Sequence, residues 1–324
     1  MPTPVILDVD TGVDDACALM LAALHPDLDL RAVTCAGGNA PLPDVVRNTL
    51  TVLEACDHAH VPVGAGASHP LLERPVDARH VHGDDGMADL GWPGPKHAVD
   101  PRHAIDLLRE TIDAAHAEGT PITLVPLAPM TNIALLARMY PESFARIGRI
   151  VFMGGGAMVS NATAAAEFNV FHDPEATAVV LDASVDHDVP VTMYGLDVFY
   201  GPQVTLADAD ELAALDERGP GALGAGLMRF MSHRFDSDRA TIGDAGAVAM
   251  LVDPEAVRSE RLPVRVELSG TWTRGRTIVD TRDWSGDMEH DPHGLAHAHV
   301  DVALEIDGPR VAKLWLDTIR QVGR

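Results

Sequence analysis

Four aspartates, Asp8, Asp10, Asp14 and Asp15, fall within eight residues, directly after the apolar run Val5-Ile6-Leu7. Four carboxylates at the end of a buried segment cannot all stay ionised unaided, because burial and like charge each raise a carboxyl pKa. A hard divalent cation with oxygen ligands is the most economical compensation. Asp14 and Asp15 alone could instead cap the start of a helix and favour its positive end, but that explanation does not reach Asp8 or Asp10. Side chains alternate along a strand, so Asp8 and Asp10 are expected on one face at its carboxyl end. Open α/β sheets hold their ligands at that edge.

Hydrophobic periodicity supplies the elements that must position these groups. The apolar run is a buried strand, and Ala16, Leu19, Met20 and Leu24 recur behind it at helical spacing. Further strands are predicted over residues 28–36, 61–64, 122–127, 149–153 and 189–194. Helices are predicted over 42–56, 102–117, 132–138, 174–182 and 244–251, with two more between 208 and 235 broken near Gly219-Pro220-Gly221. Residues 68–101, rich in His, Gly, Pro and Asp, read as a long functional loop, and a second loop carries Asn161 and Glu167-Phe168-Asn169. The alternation predicts an α/β fold: an open, mostly parallel, doubly wound (Rossmann-like) sheet with helices on both faces. Residues 264–268 and 298–306 form a small antiparallel C-terminal addition, and a helix over 311–322 closes the chain. No linker, repeat or low-complexity tract divides it, which predicts a single domain over residues 1–324.

With 324 residues the chain can bury a sizeable core, and its net charge of −24 argues against a polyanionic partner such as nucleic acid. Cys17, Cys35 and Cys56 have no metal-site spacing and suit a reducing compartment. No apolar run approaches the roughly 18 residues needed to span a bilayer, and no signal segment opens the chain. A cytoplasmic protein without membrane contact is the expectation.

Polar residues recur just after predicted strands: Asp10, Asn39, the carbonyl of Leu127, Asn161 to Asn169, and Asp244. Singly, each has a turn or capping role; in a doubly wound sheet they converge on one edge. The motifs Asp8-Val9-Asp10-Thr11-Gly12-Val13-Asp14-Asp15-Ala16, Gly38-Asn39, His82-Gly83-Asp84-Asp85-Gly86, Pro129-Met130-Thr131-Asn132, Met153-Gly154-Gly155, Ala166-Glu167-Phe168-Asn169 and Asp244 together resemble the calcium-dependent nucleoside N-ribohydrolases of the inosine-uridine preferring type.

The resemblance implies hydrolysis of the N-glycosidic bond of a ribonucleoside to free base and ribose. It implies one Ca²⁺ held by Asp10, Asp15, Asp244 and the carbonyl of Leu127, with a water and the ribose 2′- and 3′-hydroxyls completing its shell. Asp10 would be the general base for that water. Asp14, Asn39 and Asn169 would bind the ribose hydroxyls, Glu167 and Asn161 would reach the 5′-hydroxyl, and Asp8 would stand behind the ligands. Positive charge develops on the sugar during such cleavage, and the Asn169 carbonyl near the ring oxygen would stabilise it. A homodimer or homotetramer acting in nucleoside salvage is implied as well.

The chain departs from the family pattern at the residue before the late aspartate. Members that act on inosine and uridine commonly carry a histidine there, linked to protonation of the leaving base, and this chain has Gly243. His82 and His233 are the candidates to replace it. Val9 and Thr11 also differ from the family's usual neighbours without removing a carboxylate.

Two other functions share parts of this pattern. Asp8-Val9-Asp10-Thr11 also resembles the nucleophile motif of Mg²⁺-dependent haloacid-dehalogenase-type phosphatases, whose chemistry calls for a mid-chain lysine; none lies between Lys96 and Lys313. A non-catalytic ribose- or calcium-binding protein would use the same ligands without turnover. His290, His293, His297 and His299 lack the spacing of a compact zinc site, and Gly154-Gly155-Gly156 lacks the Lys-Ser/Thr tail of a phosphate loop.

Overall fold

The strand at the centre, β1 (Thr3–Val9), is apolar on both faces: Val5, Leu7 and Val9 belong to one core and Ile6 to a second. Burial on both sides is what an interior strand of a parallel sheet requires. In the computed structural model, which describes residues 1–282 and 298–322, β1 lies between β2 (Leu28–Cys35) and β4 (Thr123–Pro126), both parallel to it. Beyond β2 lies β3 (Val63–Ala65). Beyond β4 follow β5 (Arg149–Met153) and β6 (Val191–Tyr194). A short hairpin of β7 (Gln203–Thr205) and β8 (Arg239–Thr241) stands apart from this sheet. The far edge is built by β9 (Val257–Val266), β10 (Thr277–Val279) and β11 (Ala298–Ile306).

The order β3-β2-β1-β4-β5-β6-β11-β9-β10 reverses its winding between β1 and β4, and a crevice therefore opens beyond the carboxyl ends of those two strands. Helices Val13–Leu24, Leu42–Ala55, Pro220–Arg234, Ala245–Val252 and Gly308–Val322 cover one face. Helices Ala104–Ala117, Thr131–Met139, Pro141–Phe144 and Pro174–Asp186 cover the other. The predicted fold class holds, with one correction. Ala298–Ile306 is not wholly an antiparallel addition: β11 runs parallel to β6, pairing Asp301 with Thr192 and Val302 with Met193, and antiparallel only to β9.

Other differences have local causes. β3 starts at Val63 because Pro62 has no N–H to give a ladder. The long loop contains one helical turn, Arg79–His82, and the expected loop around Asn169 is a short helix, Phe168–His172, capped by Glu167. His290, His293 and His297 lie outside the described residues. No helix among the described residues is long and apolar enough to cross a membrane.

Candidate active site

Asp10 follows the last residue of β1, and the turn behind it is held by carboxylates accepting main-chain N–H bonds. Asp10 Oδ2 accepts from Asn39 N–H at 2.7 Å, while the Asp10 N–H donates to Asp15 Oδ1 at 3.2 Å. Asp15 Oδ2 accepts from Gly12 N–H at 3.0 Å and from Asn39 Nδ2 at 3.1 Å. Asp15 is thus both the cap of the helix Val13–Leu24 and a member of the acidic group. Glycine is required at position 38, where a Cβ would lie 2.0 Å from Asp10 Oδ2.

Asp8 does not share this environment, contrary to the alternation argument. β1 ends at Val9, so the alternation stops before Asp10. The Asp8 Oδ1 instead accepts from Thr34 Oγ1 at 2.5 Å and from Asn132 Nδ2 at 2.8 Å. Burial raises the Asp8 pKa to about 7, against the pull of those two donors.

Asp14 and Asp15 each bring a carboxylate oxygen within 4.8 Å of the other's and of one on Asp244. Asp244 stands at the start of helix Ala245–Val252, yet its side chain makes no capping bond. Burial, then its acidic neighbours, pushes the carboxyl of Asp10 well up, and the same holds for Asp244; Asp15 is raised to about 7. Three buried carboxylates that disfavour their own ionisation, with no Lys or Arg among the described residues bonded to them, are a site for a cation. Asp10 Oδ1 supplies an independent sign: it is buried without a hydrogen-bond partner among the described residues. An all-oxygen set of this kind fits a hard divalent ion.

Above the acidic group lies a cavity of about 480 Å³. Its lower lining is polar: Asp14, Asn39, the Leu127 region, Asn169 and Asp244. Asp10 and Asp15 are fully buried beneath that floor. Asn169 Nδ2 donates to the Leu127 carbonyl at 2.6 Å and reaches the Met153 carbonyl at 3.2 Å, so it ties the ends of β4 and β5 together. Glu167 accepts from the N–H groups of Asn169, Gly155 and Val170 at 2.8 to 3.1 Å, and burial raises its pKa to about 7. Three of its roughly four lone-pair directions are therefore taken. Asn161 is exposed on the rim, with Oδ1 accepting from Phe168 N–H at 2.9 Å.

The two candidate histidines part company. His82 is buried on the cavity wall; its Nδ1 accepts from Val13 N–H at 3.2 Å and lies 3.8 Å from Asp14 Oδ1. The expectation for His233 fails: its side chain is exposed and lines a separate groove with Arg79, Phe230 and Arg234. Helix Pro220–Arg234 turns Met231 toward the cavity instead, and Phe235 follows it there. Sequence reasoning also missed Phe199 and Tyr200 on the cavity wall. A search for polar residues after strands passes over them, and their signal was their place two short steps beyond β6.

The polar floor can grip a sugar diol and a cation, and the apolar walls can take a planar base. Residues 5–313 match the profile of the family described as inosine-uridine preferring nucleoside hydrolase. The chain is 36% identical over 328 residues to a protein of that name from Crithidia fasciculata, covering 100% of this chain and 99% of the relative. It is also 36% identical over 284 residues to the pyrimidine-specific ribonucleoside hydrolase RihA of Salmonella agona, covering 86% and 89%. A purine-preferring ribonucleoside hydrolase from Gardnerella vaginalis superposes with a TM-score of 0.87 at 29% identity, over 99% of both chains. The phosphatase alternative falls away, since a match that runs nearly end to end, over the span that holds the carboxylates, places this chain in the inosine-uridine preferring nucleoside hydrolase family.

Proposed function

We propose that this protein hydrolyses the N-glycosidic bond of a ribonucleoside, with Ca²⁺ held by Asp10, Asp15, Asp244 and the carbonyl of Leu127. The observation that carries the reading is the close group of Asp14, Asp15 and Asp244, with Asp10 beside it carrying an unpaired Oδ1, at a cavity lined by both polar and aromatic side chains. When bound, the ion supplies positive charge that acidifies a water and holds the 2′- and 3′-hydroxyls.

The chain's own groups do the rest. Asp10 Oδ1 has a free acceptor site and can take the proton of the attacking water. Asp14 and Asn39 reach the diol from the floor. Asn169 orients its amide by donating to two strand-end carbonyls, which leaves its own carbonyl for the developing positive charge on the sugar. Glu167 offers its remaining lone pair, and Asn161 its amide, to the 5′-hydroxyl. His82 closes the cavity wall beside Asp14.

Residues 1–324 act as a single domain in this reading, and the protein is a homo-oligomer of the cytoplasm serving nucleoside salvage. The three free, buried cysteines suit such a compartment. The test is release of reducing sugar from purine and pyrimidine nucleosides with and without chelator. Turnover should require the cation, and Asp10→Asn should lower kcat by about a thousandfold with the fold intact. Recovery of intact nucleoside from metal-loaded protein after long incubation would favour a binding protein instead.

A further inference from the structure

Position 243 shapes the compartment left for the nucleobase. Gly243 has φ +42°, and a Cβ on it would lie 2.4 Å from Phe199 Cζ and 2.9 Å from Asp14 Cβ. The Phe199 ring, 7% exposed, already fills the volume that any side chain at 243 would need. Its backbone is fixed there: Thr241 Oγ1 lies within donating distance of the Phe199 and Pro202 carbonyls, at 3.0 and 3.1 Å, and accepts from Gly243 N–H at 3.1 Å. Tyr200 packs edge-on against the ring with centroids 5.0 Å apart.

Phe199 lines the same cavity as Asp14 and Asp244, together with Met231 and Phe235, so on the hydrolase reading the C1′ substituent of a ribose held by those carboxylates meets this wall. The wall beside the reacting carbon is therefore hydrocarbon where a side chain from the Asp244 turn would otherwise reach in. Across the cavity, His82 uses Nδ1 to accept from Val13 N–H, which leaves its Nε2–H as a hydrogen-bond donor.

We propose that Phe199 is a specificity-determining residue: by filling the space beside Asp244 with a ring that has no proton to give, it confines efficient turnover to ribosides whose leaving group departs as a stable anion. This rests on the hydrolase reading above. In the step itself, the bond from C1′ to the leaving group breaks with its electron pair going to the leaving group. The water oxygen bonds to C1′, the water's proton passes to Asp10, and the departed anion takes a proton from solvent at the cavity mouth.

The experiment compares inosine with a series of phenyl β-ribofuranosides, from 4-nitrophenyl to unsubstituted phenyl, on the calcium-loaded wild-type protein. The 4-nitrophenyl riboside should turn over about 10²- to 10⁴-fold faster than inosine, the range that general-acid help is worth, and kcat should fall steeply as the phenol becomes less acidic. Phe199→His, which places an imidazole in the same volume, should narrow the gap. Contact with the base is read without turnover: Phe199→Leu should weaken calorimetric binding of free hypoxanthine several-fold. A ratio near one with a shallow series would overturn the proposal. So would a His82→Gln or Tyr200→Phe variant that loses inosine turnover yet keeps 4-nitrophenyl turnover, because it would place the proton donor on another wall. Absence of turnover on every riboside would sink the hydrolase reading, and this inference with it.

Discussion

Asp8→Asn should stabilise the chelated protein, and by an amount that depends on pH. Burial moves the Asp8 carboxyl from an ordinary 3.8 to about 7. Without a cation, the folded protein keeps this proton over a range in which the unfolded chain has lost it. The native state then binds more protons, so the contribution of Asp8 to stability falls as pH rises from about 4 to about 7 and levels off above. The full cost, reached above pH 7, is roughly 4 kcal/mol; at pH 5 it is roughly 2 kcal/mol. Asparagine is isosteric with the protonated acid. Its Oδ1 can still accept from Thr34 and Asn132, and its Nδ2 replaces an Oδ2 that is unpartnered in the wild type. Wild type and variant share their other titrating groups, so these largely cancel in the difference. Urea denaturation in chelator, followed by circular dichroism, should therefore show Asp8→Asn gaining roughly 2 to 3 kcal/mol more over wild type at pH 7.5 than at pH 5. An equal difference at the two pH values would refute the assignment of Asp8 as a carboxyl that folding keeps protonated.

Calcium should invert the pH trend of the wild type: ligation requires deprotonated carboxylates, so the loaded protein should gain thermal stability between pH 5 and 8, as scanning calorimetry would read. Asp244→Ala should weaken calcium binding by more than about 100-fold in a calorimetric titration, without unfolding the apoprotein, because that side chain makes no capping bond. Gly243→Ala should destabilise by about 2 to 3 kcal/mol through its contact with Phe199 and its positive φ. Combining it with Phe199→Ala should couple the two by about 1 kcal/mol in a double-mutant cycle. His233→Ala should leave kcat/KM within about twofold of wild type, as expected for an exposed residue away from the cavity.

The sheet was legible because buried parallel strands and amphipathic helices write their periods plainly, and the carboxylates were legible because four in eight residues have few structural uses. Asp10, Asn39, Leu127, Asn169 and Asp244 were singled out by one rule, that ligand-binding groups follow strand ends, and Asp14 and Asp15 by the carboxylate run. Side-chain alternation misplaced Asp8, since the last residue of a strand is not fixed by its apolar pattern to within one position. The parallel side of β11 was not legible, because a contact as short as two residue pairs leaves no trace in composition. Phe199 and Tyr200 were illegible for a different reason: a hydrocarbon wall in a cavity and a hydrocarbon in the core have the same sequence signature. His233 was credited for its residue type alone, and two positions' rotation on a helix, about 200°, separates it from Met231 and the cavity.

The two halves of the site are constrained by different means. Asp10, Asp15 and Asn39 are locked by main-chain bonds to one another. Glu167 accepts from three N–H groups, and Asn169 bridges two strand ends. Changing any of these breaks backbone structure as well as a ligand contact. Phe199, Met231 and Phe235 meet the cavity only through side chains carried on or beside helices that flank it, so volume can be traded among them, as positions 199 and 243 already do. The relatives are named for inosine and uridine, for pyrimidines and for purines. That spread is what such a division produces: a ribose and cation floor that the fold itself holds in place, beneath a base compartment that a few side-chain exchanges can refit.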